Sequence, residues 1–283
     1  MAICMKKGIL AFDIDGTLTD ERHLIPEKVC RTLLEKHQEG WDVCLLTGRT
    51  LSFASYSLGG LHFPYLLAIQ NGADILKMPE KEPLSQAYVT SELLYFLDKL
   101  SSGLQEDFFI YSGYVLGDFC YYRPDHFTEN FRHYIKELEK LSEKNWRPIS
   151  QWEEIEQQSF PLIKAFGTEE ELNLVLANLQ KKFSCSSCII KDPISGIYHM
   201  AMITHKLATK GKALLRMTKL LQNNGPIIAA GDDRNDISML EEATIKIIME
   251  TAPQSMHPLA DILAPPSKDC GIISALAQAE GRL

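Results

Sequence analysis

Short, fully apolar runs alternate with amphipathic stretches near both ends of this 283-residue chain. Residues 8–12 (Gly-Ile-Leu-Ala-Phe) contain no polar side chain, as expected of a strand covered on both faces. Residues 26–36 follow with helical spacing, Pro26 suiting a first turn and Gly40 a stop. Residues 43–46 and 65–69 are two further apolar runs. Strand, helix, strand in this rhythm predicts a parallel α/β sheet. The C-terminal part repeats it, with a helix over 212–221 broken at Asn223-Asn224-Gly225-Pro226 and a strand over 227–230. A helix over 236–243, a strand over 245–249 and a final helix over 270–279 complete the pattern.

The middle has a different grammar. Residues 93–100, 127–141 and 169–183 read as helices, the last opened by a capping-box spacing, Thr168-Glu-Glu-Glu171. Two aromatic runs, 108–111 and 119–122, lie close enough for a hairpin, and aromatic runs of this kind serve sheet packing. Residues 189–190 and 197–203 read as further strands joined by a turn at 192–196. Strands with fewer alternations predict an α+β insert. The expected layout is a Rossmann-like doubly wound core from 1–81 and 204–283, with an inserted α+β domain at 82–203. No internal repeat is visible.

Composition narrows the classes. The chain is 45% hydrophobic and 23% charged, ordinary for a globular protein, which excludes disordered, collagenous and low-complexity classes. Twenty-nine Lys and Arg against 37 Asp and Glu leave a formal charge of −8, which argues against a nucleic-acid partner. The seven cysteines are scattered, at 4, 30, 44, 120, 185, 188 and 270, and several sit in apolar runs as buried reduced thiols do. Cys185-Ser-Ser-Cys188 lacks a second pair to complete a thiolate site, so it reads as small residues in a strand. Without a signal-peptide pattern or a run of about 20 apolar residues, the expectation is a cytoplasmic protein with no membrane partner.

Four strands run into polar residues of one character. The first leads into Asp13-Ile-Asp15-Gly-Thr17 and the second into Thr47-Gly48-Arg49. The third ends at Gln70-Asn71-Gly72 and the fourth at Gly231-Asp232-Asp-Arg-Asn235-Asp236. Open α/β sheets bind ligands beyond the carboxyl ends of their strands, so these distant segments can share one cleft. Asp13, Asp15, Asp232 and Asp236 together would repel and raise one another's pKa. A hard divalent cation relieves that conflict, and an all-oxygen set suits Mg²⁺ beside a substrate phosphate. Thr47, the amides at Gly48 and a lysine can hold phosphate oxygens, and a carboxylate can attack phosphorus to form an aspartyl-phosphate.

Phe12-Asp-Ile-Asp-Gly-Thr-Leu-Thr19 resembles the first motif of the haloacid dehalogenase superfamily, and Leu46-Thr-Gly-Arg49 its second. Thr209-Lys-Gly-Lys-Ala-Leu214 resembles the lysine motif, and Gly231 to Leu240 the acidic fourth motif. The long insert resembles the large cap of Cof-type phosphatases, the branch that includes sucrose-phosphate phosphatase-like enzymes. The resemblance implies Asp13 as nucleophile and Asp15 as acid, then base. It implies Mg²⁺ held by Asp13, the Asp15 carbonyl and Asp232, with Asp236 as a direct or water-mediated partner. Thr47, Gly48 and Lys210 would bind the phosphoryl group, and Asn235 would bond near the phosphate. Arg49, beside them, is a candidate phosphate contact with a cap or a structural salt bridge as the alternatives.

The implied activity is Mg²⁺-dependent hydrolysis of a small phosphorylated metabolite, a sugar phosphate foremost. A phosphomannomutase-like mutase and a non-catalytic phospho-ligand sensor are the alternatives. The residues outside the motifs do not rank substrates; Tyr122, Arg123 and Lys164 are the candidates within the insert. Asp233 is expected in a loop or structural role, and His199 and His205 are not expected to be ligands.

Overall fold

A computed structural model describes residues 6–141, 146–192 and 195–283. Cys4 and part of the expected turn at 192–196 lie outside them. The chain divides into two compact units. One takes the chain up to Gln86 together with Thr209–Leu283, and the other is Ala87–Ala208.

The first unit is built on an eight-stranded sheet. Its strands are β1 (Gly8–Asp13), β2 (Trp41–Leu46), β3 (Tyr65–Ile69), β4 (Asp74–Met78) and β5 (Glu82–Gln86), then β6 (Ile227–Gly231), β7 (Ile245–Met249) and β8 (Ile262–Ala264). The order is β8-β7-β6-β1-β2-β3-β4-β5. From β8 to β3 every pair is parallel, and β4 and β5 add antiparallel edge pairs. The chain winds one way from β1 to β2 and returns on the other side as β6. The gap between β1 and β6 is therefore the topological switch point, where the loops part and a cleft opens.

Helices cover the sheet. Helix α1 (Glu27–Gln38) follows β1, α2 (Leu51–Leu58) follows β2, and α3 (Lys210–Leu221) precedes β6. Helices α4 (Ile237–Leu240) and α5 (Gly271–Glu280) complete the unit. Ile9 and Ala11 of β1 pack in one cluster with Ala213, Leu214 and Met217 of α3. Strand alternation turns Leu10 and Phe12 to the opposite face, and both are fully buried. Burial on both faces is what the unbroken apolar run of β1 requires.

Residues 82–86, expected in the insert, instead form β5 on the core sheet. The stretch Glu-Pro-Leu-Ser-Gln does not look like a strand, but an edge strand tolerates Pro83 because one side of it needs no amide. The helix expected over 236–243 is shorter, a 3₁₀ turn at Arg234–Asp236 leading into α4.

The second unit holds a six-stranded, mostly antiparallel sheet in the order Cys185–Lys191, His199–His205, Ile163–Gly167, Phe108–Tyr111, Cys120–Tyr122, Trp146–Pro148. The expected hairpin is present, with Ile110 opposite Tyr121 and Tyr111 opposite Cys120. Its aromatics pack. Phe109 lies within 4.8–6.4 Å of Tyr122, Phe127, Phe131, Trp146 and Phe166, centroid to centroid. Arg123 is buried, bonded to Asp107 through two 2.8 Å contacts and to Asp98 at 2.6 Å, over the Trp152 ring. Tyr122 donates to Glu139 at 2.9 Å. Cys185 and Cys188 are free thiols on one strand, and a three-residue separation turns them to opposite faces. That spacing does not join them in one site. No helix among the described residues is long and apolar enough to cross a membrane.

Candidate active site

The apolar run of β1 ends on Asp13, which is 5% exposed, and the chain turns at once through Asp15, Gly16 and Thr17. Gly16 has a φ of +73°, and a Cβ there would lie 2.1 Å from the Asp232 carboxylate. Only glycine lets the two loops approach this closely. Across the switch point, β6 ends at Gly231 and delivers Asp232 beside Asp13. Thr17 Oγ1 donates to Asp232 Oδ1 at 3.3 Å, which ties the two loops together.

Asp236 is fully buried and has both oxygens engaged. Its Oδ2 accepts the amides of Asp232 and Asp233 at 2.9 and 3.0 Å, and its Oδ1 accepts from Lys210 at 2.5 Å. It shapes the loop that carries Asp232. Asp233 caps the 3₁₀ turn, accepting from the Arg234 amide at 2.7 Å. Lys210 opens α3, whose first turn is capped by Thr209 accepting from the Lys212 amide. Its side chain is 2% exposed and also binds Asp13.

Thr47 follows β2 and is 1% exposed; its hydroxyl accepts the Arg49 amide at 3.1 Å. The segment after β3 braces this loop, the Asn71 amide donating to the Thr47 carbonyl and the Gln70 amide to the Arg49 carbonyl, each at 2.9 Å. Gln70 and Asn71 both take left-handed backbone angles, with φ of 50° and 57°.

These elements line one open cavity of about 330 Å³. Asp13, Asp15, Gly16, Thr47, Gly48, Arg49, Lys210, Asp232, Asp233 and Asn235 all face it. Asp236 lies behind it, through Lys210. The expected acidic and basic residues are thus brought together, although they are up to 223 positions apart (236 − 13). Arg49 is placed against a carboxylate: its guanidinium lies 2.6 Å from Asp15 Oδ1. His23 escapes sequence reasoning. It stands 3.4 Å from Arg49 and 3.9 Å from Asp15, and no motif marks it.

The electrostatics are those of crowded carboxylates. Burial pushes the Asp13 carboxyl well above its ordinary range; Lys210 opposes this, while Asp236 and Asp232 add to it. Asp232 is pushed up to about 6, first by burial and then by Asp236. Burial pulls Lys210 down, but Asp13 and Asp236 outweigh it and hold the ammonium charged. Oxygen atoms of Asp13, Asp232 and Asp236 lie within 4.8 Å of one another. An all-oxygen donor set under mutual repulsion fits a hard divalent cation.

Asp232 holds its proton more tightly folded, at about 6, than at its ordinary 3.8. Its favourable contribution is complete below the unfolded value and is lost as pH rises through about 6. In EDTA, the thermal midpoint of Asp232→Asn minus that of wild type should therefore grow between pH 4 and pH 7. A difference independent of pH would contradict the raised value.

Known proteins share this fold. The model of the haloacid dehalogenase-like hydrolase family matches residues 10–276. The putative phosphatase YxeH of Bacillus subtilis is 23% identical over 273 residues, covering 95% of this chain and 96% of that one. A 5-amino-6-(5-phospho-D-ribitylamino)uracil phosphatase from the same organism, YcsE, is 22% identical over 95% of this chain and 94% of its own length. Among solved structures, a haloacid dehalogenase-like hydrolase from Bacteroides thetaiotaomicron superposes with a TM-score of 0.76 at 18% identity, over 97% of this chain and 100% of its own. A sugar phosphatase of subclass IIB superposes at 0.72 with 23% identity, over 96% and 99%. With a family match that runs from the first core strand into the last helix, over a sheet whose switch point gathers these aspartates and this lysine, the chain belongs to the haloacid dehalogenase-like hydrolases.

Proposed function

We propose that this protein is a phosphatase of small phosphorylated metabolites, sugar phosphates foremost, acting through an aspartyl-phosphate on Asp13. The observation that carries this reading is the pairing of Asp13 with the buried Lys210 beside Asp232 at the sheet's switch point. The family membership and the phosphatase relatives support it, and the likeness to a sugar phosphatase suggests the substrate class.

In this mechanism Asp13 attacks phosphorus, and the bond to the leaving alcohol breaks as Asp15 gives that oxygen a proton. A water then attacks phosphorus, its proton passes to Asp15, and the bond to Asp13 breaks. Thr47, the Gly48 loop and Lys210 hold the phosphoryl oxygens, and Asn235 bonds at the cavity rim. Lys210 also keeps Asp13 oriented while opposing the rise that burial imposes on its carboxyl. Asp13, Asp232 and the Asp15 carbonyl would hold Mg²⁺, with Asp236 acting behind them on the loop. The metal would supply charge neutralisation for the phosphoryl group. Residues 87–208, the inserted cap of this reading, would select the leaving group.

The test is a panel of phosphate monoesters assayed for phosphate release. Release that needs added Mg²⁺ and falls by roughly 10²-fold or more in EDTA is expected. Full activity in EDTA would overturn the metal assignment. Interconversion of hexose phosphates without phosphate release would indicate a mutase, and tight binding without turnover a sensor.

A further inference from the structure

Arg49 follows Thr47 and Gly48 in the loop read as the phosphate cradle, and an arginine there is naturally taken for another phosphate ligand. Its placement argues otherwise. Its guanidinium Nη2 lies 2.6 Å from Asp15 Oδ1, the side chain only 30% exposed. Oδ1 accepts no aligned hydrogen bond, so the contact is one of charge at close range. The same Nη2 donates to His23 Nδ1 at 3.4 Å.

The His23 side of the guanidinium is held in place. His23 sits at a left-handed φ of 60°, and its carbonyl accepts from Ser57 Oγ of α2 at 2.7 Å. The turn that contains it is tied by Asp20, whose Oδ1 accepts the amides of Arg22 and Leu24 at 2.9 and 3.1 Å. The Arg49 carbonyl accepts the Gln70 amide, and its own amide is bound to Thr47. Arg49 is thus anchored by its backbone to one loop and by its charge to a carboxylate on another. Asp13, Asp232 and Asp236 already have Lys210 among them, whereas Asp15 has no lysine in ion-pair contact among the described residues.

We infer that Arg49 is a positioning residue for Asp15 rather than a phosphate ligand, with His23 bracing its outer side. This rests on the reading of Asp15 as the group that protonates the leaving alcohol. In the first step Asp15 changes from carboxylic acid to carboxylate as the phosphorus–oxygen bond breaks. A guanidinium fixed beside it stabilises that developing charge. The carboxylate is then kept in place to take the proton of the attacking water.

Leaving groups separate the two roles. An alkyl phosphate needs a proton on its departing oxygen, whereas a p-nitrophenolate leaves without one. A phosphate ligand serves both esters equally; a positioning residue for the acid serves chiefly the first. The experiment compares wild type, Arg49→Met, Arg49→Lys and Asp15→Asn, with Mg²⁺, on a hydrolysed sugar phosphate and on p-nitrophenyl phosphate under single-turnover conditions, following release of the sugar or of p-nitrophenol, which reports the first step alone. Inorganic phosphate inhibition and thermal midpoints are measured alongside.

Arg49→Met is expected to slow the sugar phosphate by about 10²-fold and p-nitrophenyl phosphate by less than about 10-fold, within the range of general-acid contributions. Its phosphate inhibition constant should stay within about twofold of wild type. Arg49→Lys should recover part of the sugar phosphate rate. Equal losses on both esters, or a phosphate inhibition constant that rises with the loss, would overturn the inference. Asp15→Asn tests the underlying reading separately. If it shows no leaving-group dependence, or if wild type releases phosphate from neither ester, the assignment of Asp15 or of phosphatase activity fails instead.

Discussion

Asp13→Asn is expected to abolish phosphate release, by at least about 10⁴-fold in kcat, without unfolding the protein. An amide of the same shape has no anionic oxygen to attack phosphorus. Stability should hold, because burial and two carboxylate neighbours already disfavour the ionised Asp13. Removing that charge relieves repulsion, while Lys210 keeps Asp236 as a partner. The thermal midpoint in EDTA should equal or exceed that of wild type. The measurement is rate and midpoint on one preparation, with acid-quenched protein assayed for covalent phosphate. Wild type should trap a labile phosphoryl group and the variant none. Substantial residual turnover by a folded variant would remove Asp13 as the nucleophile.

Much of this arrangement is legible in the sequence because parallel strands obey a simple rule. A run such as 8–12, apolar at every position, has to be buried on both faces, and its first polar residue then falls at the carboxyl end of the sheet. Four such runs ending in Asp13, Thr47, Gln70 and Asp232 give both the α/β class and the candidate cleft. What stays hidden depends on side-chain reach. Asp236 belongs to the acidic cluster the sequence predicts, but the two amides of its own loop and Lys210 that bond its oxygens are not legible in the motif. For Arg49 the sequence leaves phosphate contact, a cap and a salt bridge open, and only the fold supplies the carboxylate, Asp15, that it lies against. His23 enters only because a left-handed turn and Ser57 bring its ring to that pair. Residues 82–86 carry weak strand propensity and become a strand through pairing with β4, a tertiary effect local pattern does not encode. In the second unit, Arg123 and Tyr122 offer polar groups to a substrate on paper, but Asp107, Asp98 and Glu139 already occupy them.

Lys210→Met should produce the largest combined loss of stability and activity. The methionine nearly matches the lysine in length but leaves Asp13 and Asp236 buried without their shared cation. Breaking a buried ion pair from one side costs about 3–5 kcal/mol, because the surviving charge keeps its desolvation penalty. With roughly 2–4 °C per kcal/mol for domains of this size, the midpoint should fall by about 10 °C in EDTA at pH 7.5. The sign of the pH effect is fixed by the same argument. Without the ammonium that opposes its rise, the folded Asp13 carboxyl binds its proton more tightly still, so the variant's deficit should shrink as pH is lowered toward 5 and widen above it. Adding Asp236→Asn to the variant should return part of the lost stability by removing one of the two stranded charges. It should return no activity, since the phosphoryl group would still lack its cation and Asp13 its anchor. Thermal melts of the two variants against wild type, across pH and with EDTA or Mg²⁺, check each of these outcomes. A Lys210→Met protein as stable as wild type at pH 7.5 in EDTA would contradict the stranding of buried charge.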